Sequence, residues 1–298
     1  MVSPKELPTD HQYDEASPDR ARRRRWPWLV GMGLAVIVAG VLWVGASYLL
    51  RSHPGPESVS SAIREFGSPG ARSTNEGLHY QPPLAGVYTL RGLGEERISF
   101  PPNSQQDGTT MPASVRYLAG GCWRWRVNYN TAHWEEYDFC PVGGELLLAG
   151  NRNSQSWDFG SVTVNNLAQF TCGPRKPVLT DTPRIGQHLR WQCVGSNTAV
   201  SGQSNASADV EVIGIESLHI GDRAVPTVRE RQLTTLSGSQ TGTVHEDWWF
   251  ALDSGLPVRV TRDITIKSPS PIGTVTYTES GEWTMVSPSP IRPSGDSS

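Results

Sequence analysis

Apolar and polar residues alternate through most of the last third of the chain. The runs 208–218, 224–236, 243–252, 257–267 and 273–285 alternate or are rich in β-branched residues, with turn residues between them. A period of two marks a strand with one buried face, so each run is expected to be a strand. Val258, Val260, Ile264 and Ile266 share one face of theirs, and Trp248 and Phe250 share one face of the strand before. Asp253-Ser254-Gly255, between these two, suits a hairpin turn. Long strands that follow one another predict an all-β domain, an antiparallel meander curved into an open sheet or half-barrel.

The pattern is weaker upstream. Strands are expected at 86–90 continuing through 98–100, and at 144–151, 156–164, 167–172 and 187–194. The polar, Pro- and Gly-rich stretches 101–112, 173–183 and 195–207 read as loops. Residues 51–82 read as a Ser/Pro/Gly linker with a helical turn or two around 58–66, and 287–298 as a disordered Ser/Pro tail. The β domain is therefore expected to span 83–286.

One hairpin can be registered from the sequence. Folding the chain back at Asn130-Thr131-Ala132 sets Cys122 opposite Cys140, Trp123 opposite Phe139, Arg124 opposite Asp138, Trp125 opposite Tyr137 and Arg126 opposite Glu136. Alternation sorts these pairs onto two faces. One carries the Cys pair and both Arg–carboxylate pairs; the other carries Trp123, Trp125, Val127 and Tyr129 against Tyr137 and Phe139. A shift of one residue would set Trp against charge throughout.

Residues 28–50 form the longest apolar run, uninterrupted by charge. At 1.5 Å per residue the run spans about 34 Å as a helix, enough for a bilayer core of about 30 Å. Arg22, Arg23, Arg24 and Arg25 precede it and only Arg51 follows closely. The positive-inside rule then expects a signal-anchor: residues 1–27 a disordered cytoplasmic tail, and everything after 51 extracytoplasmic. A cleaved signal peptide is the competing reading, with Val44-Gly45-Ala46 as a loose cleavage site, but the apolar run is too long for it.

All four cysteines, Cys122, Cys140, Cys172 and Cys193, fall on the side expected to be oxidising. An even count there points to two disulfides, and spacing favours Cys122–Cys140 and Cys172–Cys193. Zinc ligation is disfavoured, since no C-x-x-C is present and no His stands at ligand spacing beside a Cys. With 30 Gly, 23 Pro and 18% charged residues, the composition argues against a helical bundle. A net charge of −3 argues against a nucleic-acid-binding domain.

Catalytic signatures are absent. The histidines stand singly, and Gly202-Gln203-Ser204-Asn205-Ala206 misses the nucleophile elbow at its last position. Glu135, Glu136 and Asp138, and Glu246 and Asp247, are acidic neighbours, but adjacent members alternate faces. No cofactor, metal or catalytic residue is therefore expected. The aromatic set Trp123, Trp125, Tyr129, Tyr137, Trp248 and Phe250 either packs a sheet core or forms a ligand surface that stacks on sugar rings or lines an apolar groove.

The chain resembles a family of single-pass membrane proteins of high-GC actinobacteria with a Cys-bearing β ectodomain. The residues that carry the resemblance are Gly86-Val87-Tyr88 leading to Gly94-Glu95, and Cys122 with its Trp/Arg-alternating strand. Cys140 before Gly143-Gly144, Cys172, and Trp191-x-Cys193 follow. Val225-Pro226, Thr241-Gly242-Thr243 leading to Asp247-Trp248-Trp249, and Gly255-Leu256 complete the pattern. The resemblance covers about residues 84–286 and brings no catalytic residue with it. At the level of fold, the last third is similar to the half-barrel of bacterial lipoprotein carriers, which implies acyl chains held on a concave face. The expectation is a membrane-anchored, non-enzymatic extracytoplasmic protein that binds an envelope lipid, a glycan or a partner protein. A scaffolding subunit of a membrane complex is the alternative, and an envelope hydrolase a more distant one.

Overall fold

The computed structural model describes residues 52–72, 80–173, 177–271 and 273–292, together with positions 39, 40, 42 and 45. The expected tail 1–27 and nearly all of the expected membrane segment 28–50 lie outside these residues. Among the described residues no helix is long and apolar enough to cross a membrane.

A short helix, α1 (Val59–Phe66), precedes fourteen strands. They are β1 (Gly86–Ser99), β2 (Pro102–Gln106), β3 (Thr110–Tyr117), β4 (Trp123–Asn130), β5 (His133–Val142), β6 (Glu145–Asp158) and β7 (Thr163–Cys172). Then come β8 (Pro177–Leu179), β9 (His188–Asn197), β10 (Val200–Ile220), β11 (Arg223–Gly238), β12 (Thr241–Ala251), β13 (Pro257–Ser270) and β14 (Gly273–Met285). The meander holds: each strand of the ring pairs antiparallel with the next, β3 following β1 and β9 following β7, while β2 pairs only with β1 and β8 only with β6. The half-barrel is corrected. β14 pairs with β1 from Met285↔Leu90 to Tyr277↔Ile98, so the sheet closes on itself as a twelve-stranded barrel. Closure is possible because β1 is long enough to offer one edge to β14 and the other to β3 and then β2.

The hairpin register is as expected. Trp123 faces Phe139, Arg124 faces Asp138, Trp125 faces Tyr137 and Arg126 faces Glu136, with a bulge near Asn128. Outside the barrel Arg124 Nε donates to Asp138 Oδ1 at 2.6 Å, and Arg126 to Glu136 Oε1 at 3.0 Å. Both disulfides form in the expected pairing, Cys122–Cys140 and Cys172–Cys193.

Three loop expectations are corrected. Residues 195–207 are almost all strand, with β9 turning into β10 at Thr198-Ala199. Residues 101–112 contain β2 and the start of β3, and residues 177–179 of the expected loop 173–183 form β8; the single strand expected at 156–164 is instead the end of β6, a turn at 159–162 and the start of β7. In 195–207 the inward residues beside the cavity are small or polar (Asn197, Ser204, Ala206), so the alternation fades. The expected linker and tail are also partly tied down. Ser58 caps α1 by accepting from Ser61 N at 3.0 Å, and Phe66 packs with Ala85 and Val87 outside the barrel. Tyr80 is buried in the core, and Ile291 pairs with Val87.

Alternating strand direction gathers the connections after β1, β4, β6, β9, β11 and β13 at one end of the barrel. The other end is packed solid by Tyr88, Trp123, Trp125, Leu146 and Leu179, all but inaccessible to solvent. The chain joins the barrel at the first end, where Ser52 N donates to Asp158 Oδ2 at 3.1 Å and Thr131 N donates to Gly55 O at 2.9 Å.

Candidate functional site

The unpacked end leads into a cavity of about 430 Å³ inside the barrel. It reaches the rim at Phe100, Pro101, Phe159 and Ser270 and extends inward to Leu148, Val178 and Trp191. The space exists because β7 and β10 turn Ala168 and Ala206 inward where other strands turn in large aromatic side chains. Gly195 on β9 serves the same wall: a Cβ there would stand 2.5 Å from the Phe170 ring.

The lining has two characters. Trp157, Phe170, Trp191, Trp248 and Phe250 supply broad apolar faces. Asn151, Asn153, Gln155, Asn166, Asn197, Gln232 and Gln240 supply carboxamides, which both donate and accept. Asn166 Oδ1, Trp191 Nε1 and Trp248 Nε1 have no hydrogen-bond partner in the protein.

Arg262 is the hub of the polar wall, its side chain 1% exposed. It donates to Glu135 Oε2 at 2.8 Å, Glu246 Oε1 at 2.8 Å and Glu279 Oε1 at 2.9 Å, and also to the hydroxyls of Tyr129 and Tyr137. All three guanidinium nitrogens are engaged. Burial opposes its charge, but Glu135 and Glu279 outweigh burial and raise its pKa further. Burial opposes charge on Glu135 as well, yet Arg262 and His133 hold that carboxyl down at about 2. One cation cannot offset three carboxylates, and Glu279 is pushed up by burial despite Arg262.

Behind this wall, outside the cavity lining, His133 Nδ1 lies 2.7 Å from Glu96 Oε1. Burial opposes charging of His133, but Glu96 outweighs it and lifts the pKa to about 9. Asp107, at the break between β2 and β3, is pushed up to about 8 by burial and then by Glu96 and Glu279.

Of the aromatic set expected as a ligand surface, Tyr137, Trp248 and Phe250 line the cavity. Trp123 and Trp125 lie in the packed end, and Tyr129 is buried against Arg262 and Glu135. The sequence reading passes over Arg262, although its position carries a signal. It sits on the same face as Val258, Val260, Ile264 and Ile266, the one charge in that row. Glu246 shares a face with Trp248 and Phe250, and Glu135 with Tyr137 and Phe139. An ionisable residue on the apolar face of several strands is the signal of a buried polar cluster.

Glu230 is buried on β11 with Oε1 unpartnered, and burial raises its pKa well above 4.5. The folded state therefore keeps a proton that the unfolded chain releases above about pH 4.5, so Glu230 costs stability increasingly as pH rises from there. Glu230→Gln is expected to raise the melting temperature by about 5 °C at pH 8 and by much less at pH 5. Thermal melts at the two pH values check this, and equal shifts would show Glu230 charged at both.

No family model matches the chain, and no curated protein matches it. Among solved structures it is similar to the hypothetical lipoprotein YmcC from Escherichia coli (K12). Identity is 14%, covering 67% of this chain and 86% of that one, with a TM-score of 0.35.

Proposed function

We propose that this chain is a membrane-anchored, extracytoplasmic, non-enzymatic binding protein whose barrel takes up a neutral, hydroxyl-bearing amphiphile of the cell envelope, a sugar-bearing lipid being the fitting class. The observation that carries this reading is the make-up of the cavity wall. Aromatic faces suit alkyl chains and sugar rings, and carboxamides and carboxylates suit hydroxyl groups. The one guanidinium among the described lining residues is consumed by three carboxylates, so none of these residues offers a free cation to an anionic head. The anchor reading rests on the apolar run 28–50 and on the four-Arg cluster before it. The tether joins the barrel at the mouth, where Ser52 bonds Asp158.

The full chain held in amphipol, titrated with n-octyl β-glucoside below its micelle concentration, tests the reading by native mass spectrometry. The glucoside is expected to bind with one-to-one stoichiometry, and octanoate to bind at least about 10-fold more weakly, since its carboxylate would meet Glu135 and Glu246. Ala206→Trp, which fills the cavity from β10, is expected to abolish glucoside binding while leaving the barrel folded. Equal binding of octanoate, or glucoside binding unchanged in Ala206→Trp, would count against it.

One observation favours a second reading, glycoside hydrolysis. Glu135 and Glu279 line one cavity with their pKa values pushed in opposite directions, as an acid and a carboxylate partner require. Against it, both carboxylates are pinned by Arg262 and by tyrosine hydroxyls of the wall. Release of octanol and glucose in the same titration would establish it.

A further inference from the structure

We propose that Glu96, Asp107 and His133 form a binding site for a divalent transition-metal ion, with Zn²⁺ the occupant this donor set suits best. The three come from separate places in the sequence: Glu96 from β1, Asp107 from the break between β2 and β3, and His133 from the first position of β5. One donor atom from each lies within 4.8 Å of the others, and all three residues are buried. One imidazole and two carboxylates make a set that zinc accepts readily and that calcium or magnesium, which prefer all-oxygen shells, suits less well.

Asp107 carries the inference beyond a mere cluster of acids. It is 8% exposed, and neither carboxylate oxygen has a hydrogen-bond partner. A buried carboxylate with both oxygens unmet is costly unless something pairs with it. Its position is nonetheless built. Asp107 N donates to Gly94 O at 2.9 Å and Gly108 N donates to Tyr129 O at 2.7 Å, which fixes the break between β1 and β4. Glycine at position 94 makes room for it, because a Cβ there would meet Asp107 Oδ2 at 1.9 Å. Glu96 is held from behind. Its Oε2 accepts from Gln155 Nε2 at 3.0 Å and Gln105 Nε2 at 3.2 Å. Such outer hydrogen bonds orient ligands in metal sites.

Charge and distance both fit. A divalent ion offsets the two carboxylates and takes His133 as a neutral ligand, so the buried group becomes neutral overall. Donors around a tetrahedral ion with bonds of about 2.0 Å stand about 3.3 Å apart. The His133–Glu96 contact of 2.7 Å therefore opens by only about half an ångström on loading. The site lies outside the cavity lining, so it stands or falls independently of the amphiphile reading.

The test uses the full chain, freed of metal by chelation, reloaded with Zn²⁺ and desalted. One retained Zn²⁺ per chain is expected by elemental mass spectrometry, with a melting temperature raised by the ion. In Asp107→Asn affinity is expected to fall at least about 10-fold and the melting shift to vanish, while the metal-free variant melts no lower than the metal-free wild type. No retained Zn²⁺, or retention unchanged in Asp107→Asn, overturns the proposal. Should the variant fail to fold, Co²⁺ loaded into the wild-type chain decides the matter. Visible absorption of a four-coordinate nitrogen–oxygen site supports the proposal, and its lack overturns it.

Discussion

Replacing Arg262 by methionine is expected to lower the melting temperature of the barrel by about 10–15 °C at neutral pH. The substitution leaves Glu135, Glu246 and Glu279 facing one another in a buried wall with their shared cation gone. Removing one partner of a buried ion pair costs about 3–5 kcal/mol, and for a domain of this size each kcal/mol moves the midpoint by about 2–4 °C. The loss should shrink in acid. In the wild type Glu135, held at about 2, contributes stability that is present above its unfolded value of 4.5 and is lost as pH falls toward 2. In the variant the carboxyls have raised pKa values, so the folded state gains protons and stability as pH falls through their range. The two melting curves should therefore converge between pH 7.5 and pH 4.5. A shift under about 3 °C at neutral pH would mean that water reaches the three carboxylates and screens them.

Reducing both disulfides is expected to cost a comparable amount. The bridges close chain segments of 18 and 21 residues, each worth about 3 kcal/mol in the chain-entropy description. They clip different strand pairs, β4 with β5 and β7 with β9, so their effects should add to within about 1 kcal/mol. The expected result is a fall of about 12–20 °C in the melting temperature with reductant present. The double variants Cys122→Ser/Cys140→Ser and Cys172→Ser/Cys193→Ser should each give about half of it. A drop from one pair alone would show that the other bridge ties strands already held by the sheet.

The first hairpin and the last third of the barrel were legible because their strands have a buried face packed with large apolar residues and an outer face facing water. Trp123, Trp125, Val258 and Val260 announce their orientation at a period of two. The adjoining ends of β9 and β10, residues 195–207, did not, because a cavity wall needs small and polar residues inward, as with Asn197, Ser204 and Ala206. Such a strand is polar on both faces and reads as a loop. Closure was hidden for another reason. Pairing β1 with β14 joins residues far apart in sequence, and no local pattern in Leu90 or Met285 specifies that meeting. The same holds for the polar cluster. Each member is visible as a charge on an apolar face, but that Glu135, Glu246 and Glu279 converge on Arg262 follows only from the circle the strands complete.

Closure also limits how this protein can meet another. A sheet with a free border offers unpaired backbone groups to a partner's strand, the basis of strand addition and of edge-to-edge aggregation. Here every strand of the ring has two neighbours, and open strand borders remain, among the described residues, at the short β2 and β8 and where a strand outruns its neighbour, as at 213–220 of β10 and 163–167 of β7. A protein that docks where the ring is paired on both sides must therefore read its side chains, such as the outward Arg124–Asp138 and Arg229–Asp247 pairs. Recognition of that kind is sensitive to ionic strength, as pairing through backbone amides would not be.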